Sequence, residues 1–182
     1  MFEFSGDKNQ AIARSFRIKE QWLNVLKEES EKQGVSRNSL LNKILQDYAT
    51  FNRYFRRFGF VAMGEKNFAA IIQACPKEEL KKIARSGGST VSIDFIRTMG
   101  LGLDHETLTF VMTQIFGYYG NWFKCAHYTK KGKEIFHLRH DLGENWSLFI
   151  AEVVTAFFER LLDKKVNIEF MDGALTIENP LK

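Results

Sequence analysis

The chain has 182 residues, of which 45% are hydrophobic, 14% aromatic and only 2 are Pro. This excludes a disordered or collagen-like chain and leaves enough apolar material for one medium domain or two small ones. The formal net charge is +4, and all of it lies early: through Phe60 eleven Lys and Arg face seven Asp and Glu, whereas from Val61 onward fifteen face fifteen. A basic first third points to a polyanionic partner.

Residues 1–12 are polar, are punctuated by Ser5-Gly6-Asp7, and read as a flexible arm. Ala13–Ile18 alternates. Ala13, Ser15 and Arg17 fall on one face of an extended strand, with Arg14, Phe16 and Ile18 on the other. The second face can bury Phe16 and Ile18, and the first is small, polar and basic. Lys19–Gln33 is helical, with Trp22, Leu23, Leu26 and Ser30 on one stripe. Gly34 supplies a stop, and Ser36 offers an N-cap for a second helix. That helix carries Leu40, Leu41, Ile44, Leu45, Tyr48, Phe51 and Phe55. The stripe is too wide for the first helix to cover, which implies a partner chain.

This ordered set resembles the ribbon-helix-helix (Arc/MetJ-type) family over residues 13–48. The residues that carry the resemblance are the basic strand SFRI, the helix starting at Lys19-Glu20, the GVSRNS junction and the apolar LLNKIL helix. Lys19 stands where many members have Pro, and Glu29 where an apolar residue is common. The resemblance implies an intertwined dimer whose two strands pair antiparallel and enter the DNA major groove. Ala13, Ser15 and Arg17 would then face the bases, Arg17 as the candidate for a bidentate contact to guanine. The amides opening the second helix, around Ser36, Arg37 and Asn38, would hold a phosphate.

Arg53, Arg56 and Arg57 lie among Phe51, Tyr54, Phe55 and Phe58, as an extension of the second helix or a linker. The first domain is expected over 13–58 and a second over 59–182. Phe60–Met63 reads as a short strand. Helices follow over Asn67–Ala74 and from Pro76 through Arg85. Ser86-Gly87-Gly88-Ser89 reads as a flexible break, and Val91–Met99 fits strand or helix. Asp104 caps a helix to about Tyr119. Trp122–Tyr128 and Glu134–His140 flank the Lys130–Lys133 turn as a hairpin. A helix runs from the Asp141-Leu142-Gly143 break to about Leu162. Val166–Phe170 and Ala174–Glu178 form a second hairpin about Asp172-Gly173. The prediction is α+β: a ribbon-helix-helix unit, then a four-stranded antiparallel sheet with helices on one face.

Chemistry-bearing residues in the second domain are few. If Thr129 opposes Glu134, then Cys125, His127 and His140 share a sheet face, and such donors suit a transition metal such as zinc or nickel. The alternative is a packed sheet face with histidines hydrogen-bonded at its margin. Aromatic side chains could line a pocket for a small-molecule effector or simply fill a core. There is no serine elbow, HExxH or nucleotide loop, so the expectation is not an enzyme. Cys75 and Cys125 stand far apart without CxxC spacing, no amino-terminal stretch reads as a secretory signal, and no apolar run approaches the roughly 20 residues that span a bilayer. A cytoplasmic chain with no membrane partner is expected.

The sequence reading is therefore a homodimeric DNA-binding transcriptional regulator, a repressor. Its partner is double-stranded DNA, and its second domain builds higher oligomers or senses a ligand. Two other readings stand beside it: an antitoxin that binds DNA and a toxin, and an assembly module with no DNA role.

Overall fold

The computed structural model describes residues 12–55 and 57–180. The expected arm over 1–12 lies outside them except for Ile12, as does Arg56. The chain divides into two compact units, one ending at Phe60 and the other starting at Val61.

In the first unit, residues 12–19 belong to neither helix nor strand, and all are exposed. A strand needs a neighbour to complete its hydrogen bonds, and a single copy of this segment has none. Lys19 is extended (φ −62°, ψ 138°) and leads into α1, Glu20–Gln33. Gly34 ends α1 in the left-handed conformation, φ 66°, and the Val35 N–H returns to the Ser30 carbonyl at 3.0 Å. Ser36 then caps α2, Arg37–Asp47: its Oγ accepts the Ser39 N–H at 3.0 Å. The helical path continues through the wider π-helical turns of Tyr48–Asn52 and a last turn at Arg53–Phe55. Phe51, Phe55 and Phe60 close this end, with ring centroids 5.1–6.1 Å apart.

The second unit is α+β. Phe60–Met63 forms no strand, and Val61 is 80% exposed. Helices α3, Glu65–Ala74, and α4, Lys77–Ser86, flank Pro76. The Gly87-Gly88 stretch is not the flexible break expected. It continues α4 through π-helical turns, Gly87–Val91, into α5, Ser92–Met99. Glycine disfavours helix by about 1 kcal/mol per residue, but tertiary packing overrides that preference. Gly88 lies against the long helix α7, Glu144–Leu162, and a Cβ there would sit 2.2 Å from the Val153 carbonyl oxygen. Arg85, one turn earlier, reaches Glu152 and Glu159 of α7 at 3.2 and 2.9 Å.

Asp104 caps α6, His105–Phe110, accepting the Thr107 N–H at 2.8 Å, and the helix widens into a π-helical segment, Val111–Tyr119. Its buried face is Leu108, Val111, Met112, Ile115 and Phe116, as the periodicity predicts. Four strands follow: β1, Lys124–Lys130; β2, Lys133–Arg139; and, after α7, β3, Asn167–Met171, and β4, Ala174–Pro180. All pairs are antiparallel, in the order β1-β2-β4-β3. Left-handed Lys131 and Gly132 (φ 50° and 72°) make the first hairpin turn.

Strand parity separates the two sheet faces. Phe136, Leu138, Leu175 and Ile177 share one face and are at most 1% exposed. Helix α7 and the Val111–Tyr119 segment pack against the sheet, and the Phe158 ring meets Phe136 edge-on at 6.2 Å. Each such side chain, fully buried, contributes about 1.5–3 kcal/mol. This face is the core of the second unit. No helix among the described residues is long and apolar enough to cross a membrane.

Candidate nucleic-acid interface and a histidine–carboxylate cluster

The residues singled out for DNA all lie on the surface of the first unit. Ala13, Ser15 and Arg17 are exposed, and Arg17 makes no ion pair among the described residues. Arg14 turns back on its own chain, donating Nη1–H to the Ala13 carbonyl at 3.1 Å. Ser36, Arg37 and Asn38 are exposed at the start of α2. The Ser36 hydroxyl is engaged as the cap. It takes the Ser39 N–H, whereas the Arg37 and Asn38 amides have no acceptor within the helix and lie at the positive end of its dipole. An anion placed there meets donors already aimed at it.

The same unit exposes large apolar side chains. Phe16 is 70% exposed, Trp22 55%, Ile44 44%, Leu45 50% and Tyr48 60%. Of the two helices, α2 buries Leu40 alone, and α1 buries only the small Ser30. Phe51 and Tyr54 are buried on the continuation of α2, but isolated helices of this length are marginal in water and draw most of their stability from packing an apolar face.

In the second unit the β1–β2 register is the expected one, with Thr129 opposite Glu134 and His127 opposite Phe136. It does not gather Cys125, His127 and His140 at one point. Among the described residues, no group of three or more His, Cys, Asp or Glu is placed to hold a metal ion. Each member of the set has a different local task.

Cys125 is partly buried, and that burial pushes its thiol pKa up to about 11, so it is a thiol rather than a thiolate at neutral pH. It lines an open cleft of roughly 300 Å³ with Gly117, Phe123 and Lys124.

His140 locks the junction between β2 and α7. Its Nδ1 accepts the Leu142 N–H at 3.2 Å, and its Nε2 lies 3.0 Å from Ser147 Oγ. Ser147 donates to the Met171 carbonyl at 2.9 Å, so it accepts from His140. The ring is thus the neutral Nε2–H tautomer. Burial lowers the His140 pKa in the same sense, and Asp172 and Asp141 oppose it only in part. The neighbouring residues of the His140–Phe149 stretch serve the same junction. Asn145 donates to the Ile72, Gln73 and Cys75 carbonyls at 3.0–3.3 Å, capping α3. Trp146 donates its indole N–H to the Trp122 carbonyl at 3.0 Å.

His127 belongs to a cluster that the sequence reading missed. Glu134 is 2% exposed. Its Oε1 accepts from His127 Nε2 at 2.8 Å, and its Oε2 accepts from His105 Nε2 at 2.8 Å and Asn179 Nδ2 at 2.9 Å. Burial alone would raise the Glu134 pKa. Hydrogen bonds from Asn179, His105 and His127 outweigh it and hold the carboxyl below its ordinary value. The carboxylate therefore stays ionised, and both imidazoles donate to it. His127 also stacks on Phe136, with centroids 4.4 Å apart. The cluster pins the start of α6 to β1, β2 and β4. Parity offered a signal for part of it, since Glu134 shares the core face with Phe136 and Leu138, and Asn179 with Leu175 and Ile177. His105, next to a helix cap, carried no such signal.

The chain matches no family model, no curated protein and no solved structure.

Proposed function

We propose that this protein is a homodimeric, sequence-specific DNA-binding regulator of the ribbon-helix-helix type, acting as a repressor. The observation that carries this reading is the set of apolar side chains left in water on residues 16–48, beside a basic alternating segment with no strand partner among the described residues. A second copy supplies both needs. Pairing two copies of residues 13–18 completes the strand hydrogen bonds, and the α2 faces then bury Ile44 and Leu45 against each other. Five large side chains at about 1.5–3 kcal/mol each, even half realised, supply several kcal/mol toward association. In the paired form Ala13, Ser15 and Arg17 share the outer face, Arg17 reads guanine, and the α2 amino termini hold backbone phosphates. The mechanism is binding without catalysis, and the second unit multiplies or regulates it.

The test is duplex binding by full-length protein on sites selected from random DNA. Arg17→Ala should cost about 1–3 kcal/mol and relax the preference at one base position. An Arg17→Ala protein with unchanged affinity and unchanged base preference would falsify the strand reading.

A further inference from the structure

The second unit is electrically neutral as a whole, but its charge is segregated. Between Lys124 and Arg139 there are five Lys and Arg and a single acidic residue, Glu134, whereas the rest of residues 61–182 holds ten cations against fourteen carboxylates. Glu134 is buried on the core face, so it does not offset the outer one.

The register places most of these cations on the open face of the β1–β2 hairpin. Lys124 lies opposite Arg139, and Lys130 opposite Lys133. Like charges directly opposite across a ladder destabilise a sheet. Lys133 is compensated by Glu178 at 2.6 Å. Among the described residues, Lys124, Lys130, Lys131 and Arg139 meet no carboxylate, and Arg139 instead approaches His137 at 3.3 Å. Tyr128, 47% exposed, stands on the same face between the two like-charge pairs. The pairs are six residues apart along β1, about 20 Å at about 3.3 Å per residue. That is somewhat more than half a duplex turn of about 34 Å.

A hairpin bearing two like-charge rungs, with an exposed tyrosine between them, is stabilised by an anion on that face. We infer that the open face of the β1–β2 hairpin is a second nucleic-acid contact, which grips the phosphate backbone of duplex DNA beside the segment read by the first unit. This rests on the DNA-binding reading above and adds a sequence-independent grip to it. Because both contacts belong to one chain, the second binds at the effective concentration set by the tether rather than at that of free protein.

The test uses full-length protein and a random-sequence duplex of about four helical turns, roughly 40 base pairs, with binding followed across salt concentration. The variant is Lys124→Gln/Lys130→Gln/Lys131→Gln, and the charge-matched control is Lys66→Gln/Lys164→Gln/Lys165→Gln. Each phosphate contact contributes about 0.9 to the slope of log affinity against log salt, so the hairpin variant should flatten that slope by about 2–3 and weaken binding at least about tenfold at physiological salt. None of the six lysines is buried, and an unchanged circular dichroism spectrum confirms the fold. An unchanged slope and affinity overturn the inference. So does an equal loss in the control, which would make the effect one of net charge. Loss of binding to phosphatidylserine vesicles with duplex affinity intact also overturns it, in favour of a membrane surface. Duplex binding that depends on Arg17 but ignores the hairpin variant rejects this inference and leaves the first reading standing. No duplex affinity in the wild type rejects both.

Discussion

The two units solve the burial problem in opposite ways. From Val61 onward the chain closes its own core, with Phe136, Leu138, Ile150, Phe157, Phe158 and Ile177 at 0% exposure. Through Phe60 it does not, and Phe16, Trp22, Leu45 and Tyr48 are each at least half exposed. Both segments are rich in amphipathic helix, so the difference lies in what those helices have to pack against. Helix α7 has a sheet on one side and α4 with the Gly87–Val91 turns on another. Helices α1 and α2 have chiefly each other. On the proposed reading a second copy covers that apolar face, and the first unit is half of a domain.

The comparison can be broken most directly at α2. Leu45→Asp places a charge where a second copy is expected to pack, and it should convert a dimer to a monomer in sedimentation equilibrium and abolish duplex binding. The second unit should keep its own unfolding transition. A monomeric wild type would remove the basis for the comparison.

The opposite perturbation is Gly88→Ala. Its methyl would meet the Val153 carbonyl oxygen at 2.2 Å, which is backbone and cannot turn aside. Overpacking of this kind costs about 1–3 kcal/mol or more, so urea denaturation should show the second unit destabilised by about 3 kcal/mol with dimerisation retained. Wild-type stability in the Gly88→Ala protein would mean that the α4–α7 crossing is looser than described.

Acidification offers the gentlest test, again confined to the second unit. The His140 pKa is lowered in the folded state, so its neutral form contributes stability that is present above the unfolded value, about 6.5, and is lost as pH falls through the folded value. The Glu134 pKa is also lowered, so its contribution is present above about 4.3 and is lost at lower pH still. Denaturation midpoints should therefore fall in two steps as the solution is acidified from neutral pH. His140→Gln should remove the upper step and leave the lower. An upper step that survives His140→Gln would assign it to another group.

Much of this was legible beforehand because it is local. The Gly34 stop, the Ser36 and Asp104 caps, the helix faces and both hairpins follow from periodicity, turn chemistry and capping, which act over a few residues. The hairpin register followed from turn length. The misreadings share a cause in contacts between distant residues. Gly87-Gly88 has the composition of a loop but lies in a helical path packed on α7, where Val153 leaves no room for a side chain at Gly88. Phe60–Met63 has the composition of a strand and pairs with none of the described strands. Of the two readings left open for Cys125, His127 and His140, hydrogen-bonded histidines describe the rings seen here, and their partners Glu134 and Ser147 are not revealed by the spacing of ligand types.

By itself, then, the sequence determined the order and kind of most elements, the α+β class of the second unit and the exposed basic segment opening the first. Short-range backbone preferences are enough for these. Only the tertiary structure decided that Glu134 is a buried anion held by residues from α6, β1 and β4, and that on the outer hairpin face Lys133 reaches Glu178 while Lys124, Lys130 and Arg139 meet no carboxylate among the described residues. Both depend on which residues meet across the sheet, and a charge count along the chain cannot distinguish a carboxylate that neutralises a neighbouring lysine from one that points the other way.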